Sequence, residues 1–523
     1  MATTHAWLAD HLQLIGFCCC LTWCGLLAGL LGRGAPVSRL LSSAIVALPI
    51  GLSGAVFLTL GAAQSTVYAR TGGSAIRVTL AGIVLAAVGI LAGNVSPRAP
   101  RGEKVKRGTR LAVELPRTRW RRSRDSIHLA GQAVPVGDEA KHFKVLGTTG
   151  TGKTTAIREL LAGALARGDS AVIADPDGVY LRDFHNPSRG DVILNPFDTR
   201  SCRWDVFGEF GSAADADHLS RSMIPDHPGE DRNWRGYARV FLAAVLRQMR
   251  QVGLSDPATL HRLLMCAPPE ELARLLEATA AAPYLSPENA RFFASVRAIA
   301  NTHLGVLEHL GEPAAGRFLS VRRWVREGAA ASGPAVLFLP YRANQIATLR
   351  GVLSTWLRLA IFETMDAGES ERRIWFVVDE LDALGAIDGL KDALARLRKY
   401  GGRCVLGIQS VAQVTGCYGA HDAQTIVENC GNTLILRCSS SGNEGTAQYA
   451  SRLIGDREVM REQISRSQRG FFEKPHRSRT IVLQHVTERA VLATQIEQLP
   501  DLTGYLKFAS TPEWRVVRLG GGD

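Results

Sequence analysis

Two hydropathy regimes divide this chain. Between Met1 and Pro97 the apolar residues come in unbroken runs, Leu12 to Leu31, Leu40 to Ala63 and Val78 to Val95, and the whole stretch holds no Lys, four Arg and one acid, Asp10. Each run approaches the roughly 20 residues a helix needs to cross a bilayer. The pattern predicts a transmembrane anchor over residues 1–97 with two or three helices, the third run being the shortest and richest in Gly and Ala. No basic segment precedes the first run, which argues against a cleaved signal peptide. A buried helical hairpin of a soluble protein is the alternative reading.

Beyond residue 125 the apolar runs shorten. HFKVLG (142–147), SAVIADP (170–176), AVLFLP (335–340), RIWFVVDE (373–380), RCVLGIQS (403–410) and NTLILRC (432–438) read as short buried strands with helical stretches between them. That alternation calls for a parallel sheet covered on both faces. Between about Gly208 and Arg326 the strand signal stops, and YARVFLAAVLRQM and PEELARLLEATAAA have helical spacing instead. The prediction is an α/β domain over 125–207 and 326–523, interrupted by an all-α domain over 208–325. The arginine-rich stretch from Arg457 to Arg479 is polar enough to read as a loop on the rim.

Charge changes the picture in one place. Of the net +12, Arg98 to Arg124 contributes +9 and the apolar part +3, so residues 125–523 are neutral. The 98–124 segment reads as a basic linker that by the positive-inside rule holds the C-terminal part in the cytoplasm, where each basic residue gains about 1 kcal/mol near anionic lipid. Trp120 within it reads equally as an interfacial anchor or a base-stacking residue. A neutral C-terminal part excludes an overall basic face, so any grip on nucleic acid must come from local loops. The ten cysteines, four in the first apolar run and six scattered with no CxxC spacing, indicate a reduced compartment and no metal site.

The chemistry is concentrated in GTTGTGKT, Gly147 to Thr154, which fits GxxxxGK[ST] between a buried strand and a helix. Gly147, Gly150 and Gly152 permit the tight turn. Backbone N–H groups of Gly147, Thr148, Thr149, Gly150, Thr151, Gly152, Lys153, Thr154 and Thr155 would then face a phosphate, with the positive end of the helix behind them. Lys153 supplies a charge to the β- and γ-phosphates of ATP, and Thr154 a hydroxyl to Mg²⁺. The partner is expected at the end of a strand beside the first one. Asp379 fits, reaching the Mg²⁺ through water, with Glu380 placed to take a proton from the attacking water. The chain reads as an ATPase.

Beyond these motifs, ADPDGVYLRDF, DVILNPFDTRSCRWDVF, RNWRGYARVFLAAV, LPDLTGYLKFA and above all the run from Ile374 to Val414 resemble the TraD/TrwB type IV coupling proteins of bacterial conjugation. The resemblance covers nearly everything after Lys141. It implies a RecA-like P-loop NTPase domain with an inserted all-α domain, anchored by N-terminal helices in the bacterial inner membrane as a homo-hexamer. Such an enzyme uses ATP hydrolysis to pump single-stranded DNA, led by a covalently attached relaxase, into a type IV secretion channel.

The resemblance assigns two further residues. Gln409 would sense the γ-phosphate, where the residues alone favour a strand-end cap. Arg398 would reach the neighbouring subunit's phosphate, where alone it reads as one solvated cation beside Arg396, Lys399 and Arg403. Lys141 replaces an arginine found near the nucleotide in some relatives, and a lysine does not reproduce a planar fork. The TraD branch typically carries a long acidic C-terminal extension absent from this sequence, which points to docking on another surface such as the helical lobe. A double-stranded DNA translocase of the FtsK sort and a non-hydrolysing receptor for protein substrates are the competing readings. DPDG and NPFD count against the first, Lys153, Asp379 and Glu380 against the second.

Overall fold

A computed structural model describes residues 19–20, 22–28, 84, 87, 104–112, 126–226, 231–310, 317–327, 334–368, 372–440, 445–467 and 478–520. Residues 107–458 with 487–523 form one compact unit, and residues 1–106 with 459–486 another. Among the described residues no helix is long and apolar enough to cross a membrane. The three apolar runs, Trp120 and most of the basic segment lie largely or wholly outside them.

In chain order the strands are β1 (Lys104–Gly108), β2 (Leu111–Ala112), β3 (Phe143–Leu146), β4 (Ser170–Pro176), β5 (Val192–Ile193), β6 (Val336–Tyr341), β7 (Ile374–Val378), β8 (Gly402–Ile408), β9 (Asn432–Ile435), β10 (Asp456–Ser467), β11 (Ser478–Arg489), β12 (Thr503–Lys507) and β13 (Trp514–Arg518), besides two small two-stranded pairs. The larger unit is organised by a ten-stranded sheet in the order β2-β13-β12-β9-β3-β8-β7-β4-β6-β5. From β9 to β5 every neighbouring pair is parallel.

Both faces of this parallel part are buried, and the period-two rule sorts its side chains. Ile374, Phe376 and Val378 of β7 enter one apolar core while Trp375 and Val377 enter the other; Val172 and Ala174 of β4 divide from Ala171 and Ile173 in the same way. A strand buried on both faces loses the polar alternation of a half-exposed one, which explains the continuous apolar runs in the sequence.

The α-helices among the described residues from Lys153 on are α1 (Lys153–Arg167), α2 (Val179–Phe184), α3 (Asp215–Met223), α4 (Arg232–Gln251), α5 (Pro257–Met265), α6 (Pro269–Leu276), α7 (Ala290–Leu304), α8 (Val321–Glu327), α9 (Ile346–Asp366), α10 (Leu390–Arg396), α11 (Val411–Tyr418), α12 (Ala420–Glu428), α13 (Thr446–Ile454) and α14 (Ala493–Glu497). α1 covers one face of the sheet through Ala156, Ile157, Leu160, Leu161 and Ala164. α9 covers the other through Leu349, Val352, Leu353 and Trp356, in the same core as the helical lobe. Within the lobe α4 buries Ala238, Phe241, Leu242, Val245 and Met249, the i, i+3, i+4, i+7 stripe of an amphipathic helix.

The chain enters and leaves the lobe at one point, where Arg203 and Trp204 pair in parallel with Phe318 and Leu319. The buried Glu209 carboxylate fixes that point. It accepts from Trp204 Nε1 at 2.9 Å and from the backbone N–H groups of Val321 at 2.6 Å and Arg322 at 3.0 Å.

Three expectations are corrected. Part of the segment read as a linker is strand, because β2 pairs in parallel with β13 at the edge of the large sheet. That edge is itself mixed, since β12 runs antiparallel to both β9 and β13; the turn between β12 and β13 is too short for a parallel crossover. The stretch from Arg457, read as a loop, forms β10 and returns as β11 in a three-stranded sheet ordered β1-β10-β11. At the base of the ribbon two ion pairs cross the strands, Arg457 with Glu488 and Arg489 with Asp456, both at 2.8 Å, a cross-strand support that polarity along one strand does not reveal.

Just before β3, His142 is buried with φ 55° and ψ 159°, a positive-φ extended conformation that is costly for a residue with a side chain and persists only where its surroundings hold it. Its Nδ1 accepts from Cys404 N at 3.0 Å and its Nε2 lies 2.9 Å from Leu394 O. The neutral imidazole therefore links β3, β8 and α10. Burial, aided by the charges of Arg403 and Arg398, pulls its pKa down to about 4. The unfolded chain thus binds the proton preferentially between about pH 6.5 and pH 4, and the stabilisation, present above that window, is lost as pH falls through it. The expected loss is on the order of 3 kcal/mol. Urea unfolding at pH 7 and pH 4.5 should show a smaller loss on acidification in His142→Asn than in the parent chain.

Candidate active site

Six residues join β3 to α1, and their geometry follows from their glycines. Gly150 and Gly152 have φ of 78° and 112°, where a Cβ is strained. A Cβ on Gly152 would also lie 2.8 Å from the side chains of Leu502 and Leu519, and one on Gly147 would lie 2.7 Å from Thr151 Oγ1. The loop is tied down at its base, where Gly147 N donates to Ile408 O at 3.1 Å and Thr148 N to Arg437 O at 2.9 Å. It opens on the N-terminus of α1, where unpaired N–H groups and the helix dipole favour an anion. Thr154 and Thr155 occupy the first turn of that helix.

Lys153 is buried and curls back over the loop, its Nζ donating to Gly147 O at 2.8 Å and Thr148 O at 3.1 Å. Burial lowers its pKa, opposed by the nearby charges of Asp379 and Glu380.

Asp379 follows β7, and here the sequence reading needs a correction. β7 does not lie beside β3; β8 runs between them, paired with both. The C-terminal end of β8 therefore falls between the loop and the acid, and Gln409 stands there. Its Nε2 donates to Glu380 Oε1 at 2.6 Å while its Oε1 accepts from Thr149 Oγ1 at 3.3 Å. The insertion of β8 depends on Gly407, because a Cβ at that position would sit 1.9 Å from the Asp379 carbonyl oxygen.

The Asp379 carboxylate is 2% exposed. Its Oδ2 accepts from Thr154 Oγ1 at 2.7 Å and from Tyr180 OH at 2.9 Å. Its Oδ1 is buried without a hydrogen-bond partner. An orphaned carboxylate oxygen beside a threonine hydroxyl fits the sparse oxygen donors that Mg²⁺ takes alongside water and phosphates. Glu380 is half-buried, and burial raises its pKa, with Asp379 and Asp382 adding to the effect.

Sequence reasoning missed the residues behind Asp379. Asp175, the last acid of β4, accepts from Tyr180 N at 3.1 Å and Leu181 N at 2.7 Å, and burial pushes its pKa up to about 6. Tyr341 ends β6 with a buried hydroxyl that has no partner, and its pKa is raised by burial and by the charges of Glu380 and Asp379. The available signal was Asp177-Gly178 directly after a strand, a turn pair that reverses the chain back over the strand ends.

Two named residues lie elsewhere. Arg398 is exposed on the turn that precedes β8, at the opposite end of that strand from Gln409. The structure does not bring it to the Lys153 and Asp379 of its own chain. Lys141 precedes β3, at the end remote from the loop, and pairs with Asp138 at 2.7 Å. Beside the loop opens a cleft of about 390 Å³ lined by Thr148, Thr149, Gln409, Ser410, Ser439 and Thr446 among others.

Residues 126–519 match the family model described as "Type IV secretion-system coupling protein DNA-binding domain". Coupling protein TraD of Escherichia coli (strain K12) is 31% identical over 388 residues, 73% of this chain and 52% of that protein, so the chain spans about half the length of this relative. The plasmid coupling protein TrwB in complex with ADP and Mg²⁺ superposes with a TM-score of 0.70 and 29% identity, covering 81% of this chain and 96% of that one. TrwB in complex with the non-hydrolysable ATP analogue ADPNP gives a TM-score of 0.70 and 28% identity, over 82% and 96% of the two chains.

The close approach at Gly407 generates a direct test. Gly407→Ala should cost about 3 kcal/mol through overpacking and abolish binding of a fluorescent ADP analogue. Gly416→Ala, where a Cβ meets nothing within 4 Å in α11, should leave both unchanged. Urea unfolding and fluorescence titration measure the two effects.

Proposed function

This chain belongs to the type IV secretion-system coupling proteins, and from that membership we propose that it is a membrane-anchored, hexameric ATPase that pumps relaxase-led single-stranded DNA into a type IV secretion channel during bacterial conjugation. One arrangement carries the enzymatic part. Gln409 bridges Thr149 of the phosphate loop to Glu380, while Asp379 is held against Thr154. A passive nucleotide binder has no use for a carboxylate tied through an amide to the loop that faces the γ-phosphate.

In this reading the backbone N–H groups from Gly147 to Thr155 and the charge of Lys153 hold the phosphates of ATP. Thr154 and Asp379 hold Mg²⁺, Asp379 through water, and the bound ion offsets charge on the transferring phosphoryl group. Glu380 accepts a proton from the attacking water. Gln409, hydrogen-bonded at both ends, loses one partner's position when the γ-phosphate leaves, which relays the change to β8 and α11. The TrwB complexes with ADP and Mg²⁺ and with an ATP analogue support the choice of nucleotide and ion.

An exposed Arg398 remote from its own loop supports a role in trans, which makes hydrolysis depend on assembly. A trans arginine contributes a factor of ~10³ to 10⁵ in rate. The neutral charge of residues 125–523 supports a DNA grip made by local loops rather than a basic face. The apolar runs of residues 1–97 support the anchor in the inner membrane, facing the lipid and the channel components.

The deciding experiment measures ATP turnover by the purified full chain against protein concentration, with and without single-stranded DNA. Turnover should rise steeply with both and fall to background in Lys153→Ala, Arg398→Ala and Gln409→Ala. Stimulation by duplex alone would favour a segregation-type translocase, and turnover absent under all conditions a docking receptor. The raised pKa of Glu380 adds a pH test: the base is protonated before an ordinary Glu would be, so turnover should fall on acidification at a pH above the usual carboxylate value of about 4.3. Glu380→Gln should remove turnover while leaving nucleotide binding intact.

A further inference from the structure

The segment ADPDGVY takes no part in the phosphate loop or in the two acids that follow β7, yet it ends beside them. After β4 the chain reverses through Asp177 and Gly178, with φ of 57° and 68°. A Cβ on Gly178 would meet nothing within 4 Å, so the glycine serves the backbone angle and not a close approach. Asp177 N donates to Tyr341 O at 2.8 Å, and the Asp175 carboxylate receives the N–H groups of Tyr180 and Leu181. These bonds set α2 over the strand ends. Tyr180, fully buried, then points its hydroxyl at Asp379 Oδ2.

We propose that Tyr180 is a positioning residue for the metal-holding carboxylate: with Thr154 it saturates Asp379 Oδ2, so that the orphaned Oδ1 is the oxygen presented to a water on Mg²⁺. This rests on the ATPase reading above. A carboxylate can rotate about its Cβ–Cγ bond and exchange its oxygens. Two hydroxyl donors converging on one oxygen oppose that exchange, and Oδ1, buried without a partner, is left as the carboxylate's free acceptor. Outer partners that orient a metal ligand are typically worth 10–100-fold in metal affinity. A purely structural Tyr180 would fill the core with its ring alone, a role that phenylalanine keeps.

The test uses the full chain and a fluorescent ADP analogue titrated without divalent metal and then with increasing Mg²⁺ or Mn²⁺, the latter also read as free ion by electron paramagnetic resonance. For Tyr180→Phe we expect affinity without metal within twofold of the parent and the half-saturating metal concentration raised at least tenfold. Asp175→Asn, which weakens the hold on α2 but keeps the hydroxyl, should shift the same metal concentration by a smaller factor. Metal dependence equal to the parent in both variants, with Asp379→Asn losing it, would overturn the proposal and leave the ATPase reading standing. A parent chain that binds nucleotide without any response to metal would overturn both.

Discussion

A carboxylate buried at the edge of a parallel sheet is the constraint around which this molecule is arranged. A charge removed from water is tolerated only where donors and opposite charge surround it, and Asp379 is nearly inaccessible with Asp175, Glu380 and Asp382 as neighbours. The upward shifts of Asp175 and Glu380 come first from burial, and the charge of Asp379 adds to both. The compensating groups come from two places in the chain: Lys153 and Thr154 from the first turn of α1, and Tyr180 from α2. They meet because a parallel sheet delivers the C-terminal ends of all its strands to one edge, which is where ligands bind in open α/β folds.

The opposite edge is built to stay closed. Arg167 makes two 2.8 Å bonds to Glu139 and reaches Asp169 at 2.6 Å, and Trp375 Nε1 donates to the same Asp169 at 2.8 Å. Arg403 lies 3.5 Å from Glu139. This knot joins the end of α1 to the starts of β4, β7 and β8. Removing one member of such a buried set costs about 3–5 kcal/mol because it strands the remaining charge. One end of the strands is thereby fixed while the other carries groups that must respond to a ligand.

Much of this was legible in the sequence, and the limits have physical causes. The phosphate loop, its flanking strand and helix, and the acids after RIWFVV were readable because each is a local pattern of glycine, periodicity and charge. Strand order was not, because a buried strand has the same apolar run whatever its neighbours, and the placing of β8 between β3 and β7 is visible only in the close fit at Gly407. Tyr180 was not, because an aromatic after Asp-Gly reads as core and its contact with Asp379 joins residues 199 positions apart. The ribbon of β10 and β11 was misread because the pairs at its base, Arg457 with Glu488 and Arg489 with Asp456, join residues on different strands. The match to a family model described as a DNA-binding domain has no counterpart in net charge, since residues 125–523 are neutral.

The point where the helical lobe joins the sheet also bears on how the chain can fold at all. β5 and β6 are neighbours, with Val192 opposite Leu337, although the whole lobe lies between them in sequence. Closing so long a flexible connection is entropically costly and slows assembly. The lobe, however, packs largely on itself, α4 lying against both α3 and α7, and the pairing of Arg203 and Trp204 with Phe318 and Leu319 draws its two ends together. Once those helices collapse, the effective separation between β5 and β6 shrinks to the short tethers outside that pairing. The insertion then acts as an internal splint, converting a slow long-range strand pairing into a local one.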